Sequence, residues 1–227
     1  MNAANFLIFT SVVLPFLFLL IVNIYNFMEC KRATISRIQM HELRASLCGF
    51  FTSIGLSEAV TCTLKLYVSR PRPNFYALCQ FDTTTLTCAA SSIHKVREAT
   101  LSFPSGHSSL SFCGMTFMMF YLRGRVAMVT STTTLPVGGG RSIRLHPYKM
   151  VLQTLCCIVP WSYSFFVACS RLVDKWHHPS DVIAGSLLGI ASAYTGYHAF
   201  FPGSASPKAG IPLSLQQQPQ QQQSNSS

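Results

Sequence analysis

At 227 residues, 49% of them hydrophobic and only 11% charged, the chain is long enough for one sizeable unit but too apolar for an ordinary soluble domain. Its formal net charge of +10 would suit nucleic acid if the basic residues formed one continuous face. They fall instead in clusters between apolar runs, so the expected partner is a lipid bilayer and not a nucleic acid.

A spanning helix needs about 20 mostly apolar residues, and Asn5 to Phe27 is such a run without a charge. No basic region precedes it and no small-residue cleavage site follows, so it reads as a span and not as a signal peptide. Ala45 to Leu64, about Ser105 to Leu122, Met150 to Cys169 and about Ser180 to Phe201 complete a set of five predicted helices. The expected fold is therefore all-α, a multi-pass transmembrane helical bundle over residues 1–201.

Lys31, Arg32, Arg37 and Arg44 lie in one connection, and Arg123, Arg125, Arg141, Arg144 and Lys149 in another. By the positive-inside rule both are cytoplasmic, which puts the loop from Tyr67 to Pro104 and the segment from Ser170 to Pro179 on the opposite side. Within the first of these connections beyond the membrane, Cys79 and Cys88 stand where an oxidising compartment permits a disulfide. Six other cysteines, Cys48, Cys62, Cys113, Cys156, Cys157 and Cys169, fall in apolar stretches as small hydrophobes, and no zinc-like spacing occurs. The Thr130 to Gly140 stretch reads as a flexible linker. Residues 202–227, rich in Gln, Pro and Ser, read as a disordered cytoplasmic tail.

Three short segments on the side away from the cytoplasm carry the chemistry. Lys65 and Arg72-Pro73 end the second span, Pro104-Ser105-Gly106-His107 opens the third, and Ser170-Arg171 precedes His177 and Asp181. Lysine is a point charge for phosphate, while Arg72 and Arg171 offer planar forks. Ser105 and Gly106 offer backbone amides at a helix N-terminus. His177 and His107 suit an in-line nucleophile and a proton donor. Asp181, four residues after His177, would hold one ring nitrogen of that histidine if the segment were helical.

These three ordered segments resemble the signature motifs of the type 2 phosphatidic acid phosphatase family, and from Phe6 to Phe201 the chain is most similar to the eukaryotic lipid phosphate phosphatases. The resemblance implies a haloperoxidase-like helical core and magnesium-independent hydrolysis of phosphatidate, lysophosphatidate, sphingolipid phosphates or diacylglycerol pyrophosphate, with no metal or other cofactor. It implies phosphate binding by Lys65, Arg72, Ser105, Gly106 and Arg171, protonation of the leaving group by His107, a phosphohistidine at His177, and Asp181 orienting that nucleophile. It implies a plasma-membrane or endomembrane protein whose site faces the exterior or a lumen, and it leaves room for a homo-oligomer. The predicted spans correspond to the last five of the family's usual six.

Two charged residues are left outside this site. Arg70 would widen the positive rim or meet anionic headgroups, and Glu58, inside the second span near the face of Lys65, would pair with a buried base or make a bundle contact. A non-catalytic lipid-phosphate binder of the same fold is the alternative reading, which intact His107, His177 and Asp181 oppose.

Overall fold

The computed structural model describes residues 3–29, 33–89, 93–132, 147–203, 206 and 210–216. The predicted linker around Gly138 and the Gln-rich end of the tail lie outside them. Five long helices dominate: α1 (Ala3–Glu29), α2 (Ala33–Val68), α5 (Gly106–Thr132), α6 (Pro147–Val173) and α7 (Pro179–His198). Between α2 and α5 the chain forms α3 (Phe75–Cys79), a two-stranded antiparallel ribbon of β1 (Phe81–Asp82) and β2 (Thr87–Cys88), and α4 (Ile93–Ala99). Cys79 and Cys88 are joined as a disulfide across this excursion. The chain is an all-α membrane bundle.

The pattern of burial is inverted relative to a soluble protein. Ile21, Val159 and Leu187 are 65%, 63% and 63% exposed, whereas Ser53, Ser109 and Ser164 are fully buried. Lipid can cover an apolar exterior, while small hydroxyl residues inside let helix backbones come close and satisfy themselves on nearby carbonyls. Ser109 and Ser164 do so: the Ser109 hydroxyl donates to the Gly106 carbonyl at 3.1 Å and that of Ser164 to the Ser111 carbonyl at 3.0 Å.

This inversion explains why only some of the long helices have an apolar composition. Phe6–Asn26, Ile38–Val68 and Thr154–Val173 are long and apolar enough to cross a bilayer. α5 and α7 fall short because they pack chiefly on helices: α5 contacts α1, α2, α6 and α7. α7 meets α5 through Gly185 and Gly189, spaced one helical turn apart. A methyl group at Gly185 would collide with the Ser105 carbonyl, and one at Gly189 with the Ser109 carbonyl. That close approach sets the depth of α7 against the first turn of α5, and hence the relation between the residues that open the two helices.

At the end of the bundle away from His107 and His177, Glu42 of α2 pairs with Arg125 of α5 at 2.6 Å and accepts from the Tyr121 hydroxyl at 3.3 Å, while Asn23 of α1 donates to Tyr121 at 3.0 Å. After Phe201 a short helix, α8 (Leu213–Gln216), is tied back by the Leu213 N–H to the Phe200 carbonyl at 2.9 Å, with Pro212 buried. Part of the segment that composition assigns to a tail thus packs on the bundle.

Gly189→Val should lower the thermal midpoint in detergent, by an overpacking cost of about 1–3 kcal/mol. Val151→Ala, at an exposed position, should leave the midpoint nearly unchanged. Differential scanning fluorimetry of both variants checks the pair.

Candidate active site

The exits and entries of three helices are stapled together at one end of the bundle. Ser69, at φ 45°, turns the chain out of α2, and Pro71 and Pro73 disfavour helical conformations at Arg70 and Arg72. The extended stretch then bonds to the approach to α5: the Arg72 N–H donates to the Ala99 carbonyl at 2.8 Å and the Ser102 N–H to the Arg70 carbonyl at 2.9 Å. A third connection runs from the Ser105 N–H to the backbone carbonyl of Asp181 at 2.9 Å, joining α5 to α7.

His177 is 3% exposed and lies just before α7. Its Nδ1 is 2.8 Å from the Ser102 carbonyl oxygen. A carbonyl can only accept, so Nδ1 carries the proton and Nε2 keeps its lone pair. Burial, reinforced by the charges of Arg72 and Lys65, pushes the imidazole down to about 3. The ring is neutral at physiological pH.

Asp181, fully buried, is not the direct partner that sequence spacing suggests. α7 begins at Pro179, so His177 precedes the helix and the two residues are not stacked on one helical face. The Asp181 carboxylate stays 4.0 Å from His177 Nδ1. It accepts instead from the Ser102 hydroxyl at 2.5 Å, the His178 N–H at 3.0 Å and Arg70 Nη1 at 2.7 Å. Arg70, left outside the site by the sequence reading, therefore belongs to its support. Ser102, which belongs to none of the three motif segments, touches both partners: its carbonyl holds His177 and its hydroxyl holds Asp181.

In front of His177 lies a cavity of about 270 Å³ lined by His107, Lys65, Arg72, Gly106 and Glu58, with Ile8 and Leu110 as apolar wall. The two imidazole centroids are 6.4 Å apart, and among the described residues the buried His107 Nε2 has no hydrogen-bond partner. Lys65 is steadied by the Leu101 carbonyl at 3.2 Å, and Arg72 by the Glu98 carbonyl at 2.7 Å and by stacking 4.6 Å from the Trp176 ring centroid. Gly106 and His107 occupy the first turn of α5, whose amides lack intrahelical acceptors. A tetrahedral anion entering this space meets two cations, a helix start and an imidazole on either side.

Residues 46–203, which hold every polar group of this cavity, match the PAP2 superfamily. The chain belongs to that family. It is 32% identical over 174 residues to lipid phosphate phosphatase 1 of Arabidopsis thaliana, covering 74% of this chain and 48% of the relative. It is 34% identical over 166 residues to a probable diacylglycerol pyrophosphate phosphatase of Schizosaccharomyces pombe, covering 69% and 54%, and 27% identical over 197 residues to rat phospholipid phosphatase 1, covering 81% and 64%. The chain spans about half the length of the first curated relatives it matches. No solved structure matches.

Of the residues the PAP2 resemblance selects, Lys65, Arg72, Gly106, His107 and His177 line one cavity. Three do not line it. Ser105 donates its N–H to Asp181 and accepts from Ser108 with its hydroxyl, so its amide is committed to joining the helices, contrary to its expected use on phosphate. Arg171, 2% exposed, holds Ser170 through Nε and Nη2 and Asp174 through Nη2 at 2.9 Å. Asp181 supports from behind. No group of three or more potential metal-ligating side chains occurs among the described residues.

The buried neutral state of His177 fixes a sign. An unfolded imidazole titrates at 6.5 and this one at about 3, so below 6.5 the unfolded chain binds the proton first and the fold loses stability as pH falls toward 3. In ring-labelled protein without phosphate, the His177 resonance should keep its neutral shift down to about pH 5. A midpoint near 6.5 would contradict the burial described above.

Proposed function

We propose that this PAP2 protein is an integral-membrane lipid phosphate phosphatase that hydrolyses phosphate monoesters, phosphatidate among them, through a phosphohistidine at His177 and without a metal. The observation that carries the reading is a neutral imidazole with its Nδ1–H anchored, facing a second imidazole across a cavity flanked by cations. The names of the relatives from Arabidopsis thaliana and Schizosaccharomyces pombe support the lipid phosphate class.

In this mechanism the His177 Nε2 lone pair attacks phosphorus while protonated His107 gives its proton to the departing lipid oxygen. The new bond is N–P and the broken bond is P–O, so the first product from phosphatidate is diacylglycerol. Water, deprotonated by the now neutral His107, then attacks the phosphohistidine and releases inorganic phosphate. His107 lies among cations, and the dianionic substrate is the group that draws a proton onto it. Lys65, Arg72 and the first-turn amides of α5 hold the equatorial oxygens. Arg171 joins them by leaving the solvent-accessible Asp174, and Asp181, through Ser102, keeps His177 in its tautomer.

The site is assigned to the exterior or lumenal side, where the neighbouring Cys79–Cys88 disulfide would persist. Acyl chains remain in the bilayer while the headgroup enters at the helix ends.

Wild type, His177→Ala and Arg171→Lys in detergent–lipid micelles with excess chelator form the test. Wild type should release phosphate from phosphatidate, His177→Ala should not, and Arg171→Lys should lose on the order of 10²-fold or more in kcat/KM through its missing fork. Equal release by wild type and His177→Ala, or release that disappears with chelator, would sink this mechanism.

A further inference from the structure

Glu58 is the acidic residue in the lining of the cavity, and the proposed chemistry does not use it. It lies seven residues before Lys65 on α2, about 10 Å deeper along the helix axis, so it stands beyond the phosphate-binding end. Among the described residues the hydrogen bond to its carboxylate comes from the Cys62 thiol at 3.7 Å, a weak donor. Thr61, the neighbouring hydroxyl in the lining, is already committed to Ser109 at 3.0 Å. A carboxylate repels phosphate and cannot donate to ester oxygens, yet within a membrane-spanning helix it is costly unless something pairs with it. Ile8 and Leu110, in the same lining, supply walls for a hydrocarbon chain.

We infer that Glu58 is a specificity-determining residue that selects lipid phosphates carrying a hydrogen-bond donor, an ammonium or a hydroxyl, on the carbons beside the phosphate ester. This inference rests on the lipid phosphatase reading above. With the phosphate held by Lys65 and Arg72, such a donor enters the cavity on the side of Glu58 and forms a charge-assisted hydrogen bond with it. Phosphatidate presents only ester oxygens there. The two substrates are separated because phosphatidate offers the carboxylate no donor beyond the weak Cys62 thiol it already has.

The ratio of kcat/KM for a long-chain base phosphate to that for phosphatidate of matched chain length is measured in mixed micelles for wild type and Glu58→Gln, with lysophosphatidate as the hydroxyl arm. The substitution should lower the ratio at least tenfold for the ammonium lipid and severalfold for the hydroxyl lipid, with the loss in KM. A ratio unchanged within twofold in both arms overturns the inference. A second readout uses wild type alone: a non-hydrolysable long-chain phosphonate bearing an ammonium should bind at least tenfold more tightly than its counterpart without one, and equal affinities overturn the inference independently of any variant. Absence of phosphate release from every lipid would be the failure of the phosphatase reading, and the phosphonate pair still reads the role of Glu58 in that case.

Discussion

The arrangement depends on one buried carboxylate. Asp181 has no exposure to solvent, yet it receives Arg70 from the exit of α2, the hydroxyl of Ser102 from the approach to α5 and the N–H of His178 from its own helix start. Its backbone carbonyl takes the Ser105 N–H as well. A buried carboxylate left without such partners would be strongly destabilising, so Asp181 forces the exit of α2, the approach to α5 and the start of α7 to meet. Their meeting puts the Ser102 carbonyl against His177. The nucleophile proposed here is thus aimed by a backbone group, and the carboxylate acts one step behind it.

Packing in the bilayer makes that meeting possible. Without a hydrophobic driving force between helices, close approach has to come from small residues, and α7 supplies Gly185 and Gly189 against the first turns of α5. The same small polar composition keeps α5 and α7 out of the set of helices apolar enough to cross a bilayer by themselves. Stability and site geometry therefore draw on the same crossing: moving α7 along α5 would move Asp181 relative to Ser102.

Much of this was legible in the residues. The long charge-free run in α1 and the apolar stretches of α2 and α6 announce themselves by length, and ordered motifs bring Lys65, Arg72, His107 and His177 together because each ends or begins a helix at one side of the bundle. What spacing could not convey was who holds whom. The interval from His177 to Asp181 suggests a helical pair, but Pro179 starts the helix between them. Ser102 carries no mark in the sequence beyond its place just ahead of Pro104. Arg70 did carry one, as a third cation beside Arg72 in an Arg-Pro-Arg-Pro run, and its role emerges only once the buried Asp181 needs a counter-charge. The docking of α8 was hidden by the polar composition around it.

The central claim, that His177 receives the phosphoryl group, is tested most directly by trapping it. Wild-type protein mixed with phosphatidate labelled in its phosphate, quenched under alkaline denaturing conditions within the first turnover and digested, should carry an acid-labile label on the peptide containing His177. Label on another residue, or full release of labelled phosphate with no protein-bound label at any quench time, would contradict the account.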